Sequence, residues 1–187
     1  MGYSILWRAN QFMPQLVLPE IKYKNSFLEA MGEYRADALS IRLGMYTDLD
    51  LEKIKNNFEQ YVLDLHNESL GINLPVGYVP HTTYWLVEGN EFLGRADIRH
   101  ELNDFLKTNG GHIGYDIRPS QRNKGYGSLL LQLAVEKAHQ LGIKEVLVTC
   151  NIDNIGSNKI IQKNGGVLES TYKLLEGTAK NRYWIKK

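Results

Sequence analysis

The stretch from His112 to Gly127, HIGYDIRPSQRNKGYG, gathers residue types that together can hold an anion. An apolar run ends at Pro119, a polar loop with Arg122 and Lys124 follows, and Gly125 and Gly127 open a long helical pattern. The first N–H groups of a helix have no intrahelical acceptor, and with the helix dipole they form a site for negative charge. Glycines let a phosphate approach the backbone and accept φ values that a side chain resists. Arg122 and Lys124 add charge where the anion would sit. Two common nucleotide patterns do not fit. Leu130 stands where a dinucleotide-binding turn needs Gly or Ala, and no Gly-Lys-Ser/Thr is present. A plain strand–helix turn would explain the glycines as packing, but not the two basic residues beside them.

The elements that must position this loop follow from periodicity. Gln15–Leu18 reads as a short strand closed by Pro19. Ser26 and Glu29 have capping-box spacing, with Phe27, Met31, Tyr34 and Ala38 on one helical face. Asp50–His66 reads as one helix, its start favoured by Asp48 and Asp50. Residues 71–80 are a loop. Thr82–Val87 and Phe92–Arg99 form a hairpin around Glu88–Glu91, and His112–Arg118 is a third strand after Gly110-Gly111. The strongest helix is Gly127–Leu141, followed by Gly142 as its stop. Glu145–Cys150 reads as a buried strand of the parallel type, Ser157–Asn164 as a short helix, and Val167–Leu174 with Arg182–Ile185 as a closing pair. This order predicts an α/β (α+β) domain with a single mixed sheet.

Arg122-x-x-Gly125-x-Gly127, set between an apolar strand and an amphipathic helix, resembles the pyrophosphate loop of the GNAT superfamily of acetyl-CoA-dependent N-acetyltransferases. The resemblance continues through Val146–Cys150, similar to the family's splayed fifth strand. Asp153-Asn154-x-x-Ser157 and Lys163-Asn164-Gly165 resemble the signature of the helix that follows. It is specific over 112–167 and architectural over 15–111. Tyr78-Val79-Pro80, Thr83-Tyr84-Trp85 and the segment from Gly110 to Tyr115 look like a branch of predicted bacterial acetyltransferases.

The resemblance implies a GNAT-like fold, a mostly antiparallel sheet flanked by helices. It implies acetyl transfer from acetyl-CoA, as cosubstrate, to a primary amine of a small molecule or peptide, by direct attack in a ternary complex. Cofactor contacts would come from Ile117, Arg122, Asn123, Lys124, Gly125, Tyr126, Gly127, Ser128, Asn154 and Ser157, with the thioester carbonyl near the backbone of Tyr115–Ile117. For Asn154 an ordinary turn asparagine is a competing reading. His112 is the first candidate base, since an unperturbed imidazole titrates near pH ~6.5; a strand-edge histidine is the alternative. His100-Glu101 is a second pair. The family's tyrosine acid aligns with Ile161, so Tyr172 or Tyr183 would have to supply that role. The family's aromatic after the helix-ending glycine is replaced by Gly166. Tyr84, Trp85, Asp97 and Glu101 could line the acceptor side, where aromatic faces and carboxylates suit a cationic amine. Protein N-terminal or lysine acetylation and a catalytically silent acyl-CoA-binding module are the rival functions.

The rest of the chain sets bounds. With 187 residues the expected organisation is one domain over 13–187, and residues 1–12 read as an upstream or added extension. Met-Gly at the start lacks the Ser or Thr of a myristoylation site, Leu6 standing there instead. Twenty-two Lys and Arg against 21 Asp and Glu give a formal charge of +1, which offers no bulk attraction for nucleic acid or membrane. One cysteine excludes an internal disulfide and points to a reducing cytoplasm; Cys150 itself reads as a small buried hydrophobe. His66, His81 and His139 have no partner pattern, and no cluster has metal-ligand spacing. A homodimer is left open by the family resemblance.

Overall fold

The computed structural model describes residues 13–43, 45–173 and 177–187. The expected extension at 1–12 and the end of the strand read to Leu174 lie outside them. Strand β1, Gln15–Val17, pairs antiparallel with β2, His81–Glu88. β2 turns through Gly89, at φ 59°, into β3, Glu91–Arg99, and β3 pairs antiparallel with β4, Ile113–Ile117. These four make one sheet in the order β1-β2-β3-β4.

The expected single sheet is in fact two. β5, Glu145–Asn151, joins β7, Ala179–Lys186, and β6, Val167–Lys173, in a separate sheet of order β5-β7-β6. β5 is antiparallel to β7, not part of a parallel pair. Its apolar run reported that both faces are covered, which is silent on direction. Between β4 and β5 there is one antiparallel bridge, Gly111 to Val148. Beyond it the sheets part, as the family resemblance implied.

The helices cover both faces. Helix α1 is Lys24–Ala36, entered through a 3₁₀ turn at Ile21–Tyr23, so it begins before the expected capping box. Ser26 instead accepts from the Phe92 N–H (2.9 Å) and from Arg118 Nη1 (3.2 Å). Ala38 opens a second helix, α2, Ala38–Arg42, capped by Asp37. The helix expected over Asp50–His66 divides at Asn57 (φ −137°, ψ 59°) into α3, Leu51–Asn56, and α4, Phe58–Ser69. Asp50 caps α3 by accepting from the Lys53 N–H. A short helix not anticipated, α5, Asp104–Thr108, is capped by Asn103. Then come α6, Tyr126–Gln140, and α7, Ile155–Lys163. None of these helices is long and apolar enough to cross a membrane.

Strand alternation produces two cores. Leu86, Leu93, Ala96, Ile98 and Ile113 face Leu130, Leu131 and Ala134 of α6. On the opposite face Trp85, Val87 and Phe92 meet Phe27, Met31, Phe58 and Val62. Phe27 stacks on Trp85 at 4.9 Å, a contact of the kind that contributes about 1 kcal/mol beyond the buried area.

Candidate active site

β4 is the strand on which the two sides of the site meet, because its successive side chains point to opposite faces. Tyr115 points toward α7, where its hydroxyl lies 2.8 Å from Ser157 Oγ. Burial pushes the Tyr115 phenol up to about 12, so it is protonated at neutral pH. Cys150 is buried nearby and its thiol is pushed up to about 11 by burial, which fits a structural cysteine.

Asp116 points the other way, toward α1 and the segment after α2. It accepts hydrogen bonds from Tyr34 and, at 2.8 Å, from Tyr46. Burial raises its carboxyl to about 6, although both phenols and Arg95 favour the charged form. Across the β3–β4 ladder Asp116 pairs with Arg95, and Asp97 with Gly114. Arg95 Nε donates to Asp97 Oδ1 at 2.8 Å, and Thr83 Oγ1 donates to the same oxygen at 2.7 Å. Burial opposes the charge on Asp97, but Arg95 and Thr83 outweigh it and hold the carboxyl below its usual range. Arg95, Asp97 and Arg99 alternate with buried Ala96 and Ile98, so one face of β3 is polar and the other apolar.

The anion loop lies at the far end of β4. Asn123 (φ 62°) and Gly125 (φ 88°) are both left-handed, and α6 starts immediately afterwards. Among the described residues the backbone N–H groups of Asn123, Lys124, Gly125, Tyr126 and Gly127 have no acceptor, the first helical bonds being Ser128 and Leu129 to the Gly125 carbonyl. A Cβ on Gly127 would lie 2.9 Å from Ile160 Cδ1, so this glycine lets α6 approach α7. These features fit a pyrophosphate: clustered free donors at a helix start, next to the exposed Lys124 ammonium. Among the described residues Lys124 Nζ reaches only Gln121 Oε1, at 2.8 Å.

Arg122 does something different. Its Nη1 meets Asp37 Oδ2 and its Nη2 meets Ser40 Oγ, both at 2.8 Å, while Nε reaches the Ile117 carbonyl. Asp37 balances its charge, and the side chain ties the loop to α2. Asp37 is held down to about 2, first by hydrogen bonds from Ser40 and then by Arg122. Tyr126 donates to Glu88 (3.3 Å), and Ser128 accepts from Asn164 Nδ2. Asn154 Oδ1 caps α7 through the Ser157 N–H (3.0 Å), the turn role, and leaves its amide N–H groups unpartnered among the described residues. With Asp153, Ile155, Leu39 and Leu43 it borders a cleft of about 410 Å³.

The remaining sequence candidates scatter. His112 is buried, and its Nδ1 accepts the Leu147 N–H. Tyr172 is exposed on β6, the outer strand of the second sheet. Tyr183 is buried and donates to Asn158 at 2.6 Å. Ile161 is fully buried, and a Cβ at position 166 would lie 2.5 Å from its Cγ2. His100 pairs with Thr82 Oγ1 and Glu101 is exposed. Of the residues considered for the acceptor side, Asp97 alone borders the cavity there. Trp85 is enclosed in the aromatic core, and Tyr84 packs against the α6 side below Lys137. His139, given no partner pattern by the sequence, is half-buried with Nδ1 against the Ile143 carbonyl. Sequence reading missed Tyr34, Tyr46, Arg95, Arg99 and Asp116. The polar alternation of 95, 97 and 99 was a signal, but nothing local joins residue 34 to 116.

A family model for the acetyltransferase (GNAT) domain matches residues 28–167. Among solved structures the chain is similar to RimL, a ribosomal L7/L12 alpha-N-protein acetyltransferase in complex with coenzyme A. Identity is 19%, TM-score 0.62, covering 92% of this chain and 93% of that one. It is also similar to an acetyl transferase of Salmonella typhimurium that modifies the N-terminal serine of a 50S ribosomal subunit protein (18%, TM-score 0.64, 93% and 95% covered). A third is the microcin C7 self immunity acetyltransferase MccE in complex with acetyl-CoA and AMP (17%, TM-score 0.61, 96% and 95% covered). At these identities the likeness concerns the fold. No curated protein matches.

Proposed function

The chain belongs to the GNAT acetyltransferase family, and from that premise we propose that it transfers the acetyl group of acetyl-CoA directly to a primary amine. The observation that carries this reading is the cluster of unaccepted N–H groups over Asn123–Gly127 at the start of α6. In it the pyrophosphate is held by those groups and by Lys124. Arg122 keeps the loop in shape through Asp37. In this reading the amide of Asn154, unpartnered among the described residues, and Ile117 and Ser157 supply the further cofactor contacts. Acetyl-CoA supplies the acyl group as a thioester; the chain supplies position and proton transfer.

The two faces of β4 divide that work. A protonated amine cannot attack, so a base must take its proton near neutral pH. Asp116, with its carboxyl near 6 and its oxygens held by two phenols, suits that role better than His112, whose Nδ1 lone pair is committed to Leu147. Tyr115, protonated and positioned by Ser157, suits proton donation to the departing thiolate better than the exposed Tyr172. Preorganised donors of this kind avoid the cost of reorganising water in the transition state.

The test is coenzyme A binding by calorimetry together with thiol release from acetyl-CoA against a panel of amines, peptides and aminoacyl compounds. Binding and turnover on at least one amine are expected. Undiminished binding after Gly125→Pro would sink the loop assignment, and tight binding with no turnover would favour a silent module. The exposed Leu39, Leu43 and Ile155 beside the cleft suit a peptide, so N-terminal or lysine acetylation is the second reading; turnover on peptides alone would select it.

A further inference from the structure

On the acceptor face a cavity of about 360 Å³ is bordered by His81, Arg95, Asp97 and Arg99, with exposed Tyr78 and Phe105 at its rim. Its charges do not cancel. Arg95 is balanced by Asp97 at 2.8 Å. His81 places Nε2 3.1 Å from Glu68 and Nδ1 3.1 Å from the Val79 carbonyl, so both nitrogens donate and Glu68 balances the imidazolium. Burial opposes that charge, but these two partners raise the His81 pKa.

Arg99 has no such partner. Its Nη1 reaches only the carbonyls of Gly110 (3.4 Å) and Gly111 (3.2 Å). Nε and Nη2 have no acceptor, and no carboxylate lies within ion-pair distance, among the described residues. Burial lowers its pKa, a sign that water compensates the guanidinium poorly. Gly114 leaves the space beside it open: a Cβ there would meet Arg99 Nη2 at 3.5 Å. Arg99 borders the cavity, and the Nε–Nη2 edge of its guanidinium carries two parallel donors, the fork that matches a carboxylate or phosphate.

We propose that Arg99 binds an anionic group of the acceptor, so that the substrate is a small amine carrying a carboxylate or phosphate a few bonds from its nitrogen. The spacing follows from β4, where Gly114, beside Arg99, precedes Asp116 by two residues on the same face, roughly 7 Å along a strand. An acceptor anchored at Arg99 thus presents its nitrogen toward Asp116. The inference rests on the acetyl-transfer reading, yet binding of the anion is measurable without it.

Calorimetry with N-acetylglycine and, separately, inorganic phosphate distinguishes the two anions. Wild-type protein is expected to bind at least one probe, Arg99→Gln to bind it at least tenfold more weakly, and Arg99→Lys to fall between them. Coenzyme A affinity and the thermal midpoint should change little. In turnover, amino acids or amine phosphates should exceed their neutral esters tenfold in kcat/KM, and Arg99→Gln should erase the difference. Equal probe binding by wild type and Arg99→Gln, or no binding of either probe to folded wild type, overturns the proposal. So does preference for neutral esters or for peptides irrespective of Arg99. Loss of coenzyme A binding instead counts against the acetyl-transfer reading alone. Should Arg99→Gln not fold, Arg99→Lys, which keeps the charge without the fork, carries the same comparison.

Discussion

His112 accepts the backbone N–H of Leu147 at Nδ1, 2.9 Å away, while the His112 N–H donates to the Leu147 carbonyl at 2.7 Å. A side chain thus completes the join between β4 and β5 at the point where the sheets begin to part. His112→Ala should cost about 1–3 kcal/mol, because it leaves a buried donor unsatisfied. Burial, helped by Arg99, lowers the imidazole to about 4, below the unfolded value near ~6.5. The unfolded chain therefore binds more protons between those values. The His112 contribution to stability is full above pH ~6.5 and is lost as pH falls toward 4. Denaturant titrations at pH 7.5 and 5 should show a smaller drop for His112→Gln than for wild type.

Asp116 has the opposite sign. Its carboxyl is raised to about 6, so the folded chain holds a proton that the unfolded one releases near ~3.9. Its contribution is most favourable below pH ~4 and declines as pH rises through 6. Asp116→Asn removes the buried charge and should match or exceed wild type in stability at pH 7.5, the gap narrowing at pH 4. The same variant should lower kcat at least tenfold with coenzyme A affinity intact. Unchanged kcat would remove Asp116 from the proton path.

Arg122 and Asp37 connect the anion loop to α2. Arg122→Ala and Asp37→Ala should each weaken coenzyme A binding by about three- to tenfold, and the double variant should lose less than the product, as for residues that act as a unit. Multiplicative losses would mean that Arg122 contacts the anion itself.

Gly166 is determined by its neighbour: a Cβ would sit 2.5 Å from Ile161 Cγ2 and 2.8 Å from the Ile161 carbonyl oxygen. Gly166→Ala should destabilise the chain by about 1–3 kcal/mol, and the bulkier Gly166→Phe by more. Ile161→Ala should recover part of the Gly166→Ala loss by removing one of the two clashes. Thermal melts of the three variants measure this.

Tyr115→Phe should lower kcat while leaving the coenzyme A dissociation constant within about twofold, since it removes a proton but little packing. Cys150→Ala should keep activity, and the thiol, raised to about 11, should react slowly with iodoacetamide at pH 7.

The sequence alone determined the features that depend on neighbours along the chain. Gly125 and Gly127 after an apolar strand marked the turn into α6, and Gly142 marked its stop. Where a pattern reports only burial it left more than one answer, as with β5, whose apolar run could not say which strand it would join. Helix ends were legible at Asp50, whose carboxylate caps α3, and not at Ser26, whose hydroxyl serves Phe92 and Arg118 instead. The proposed acceptor side depends on tertiary structure. Tyr34 and Asp116 are 82 positions apart in the chain and bonded in space, and Arg122 finds Asp37 across 85. Hydrogen bonds and charges act over a few ångströms whatever the separation in sequence. Only the folding of α1 and α2 onto the β3–β4 ladder brings those groups within that range. The same placement leaves Arg99 with no carboxylate at ion-pair distance among the described residues, which its sequence neighbours do not reveal.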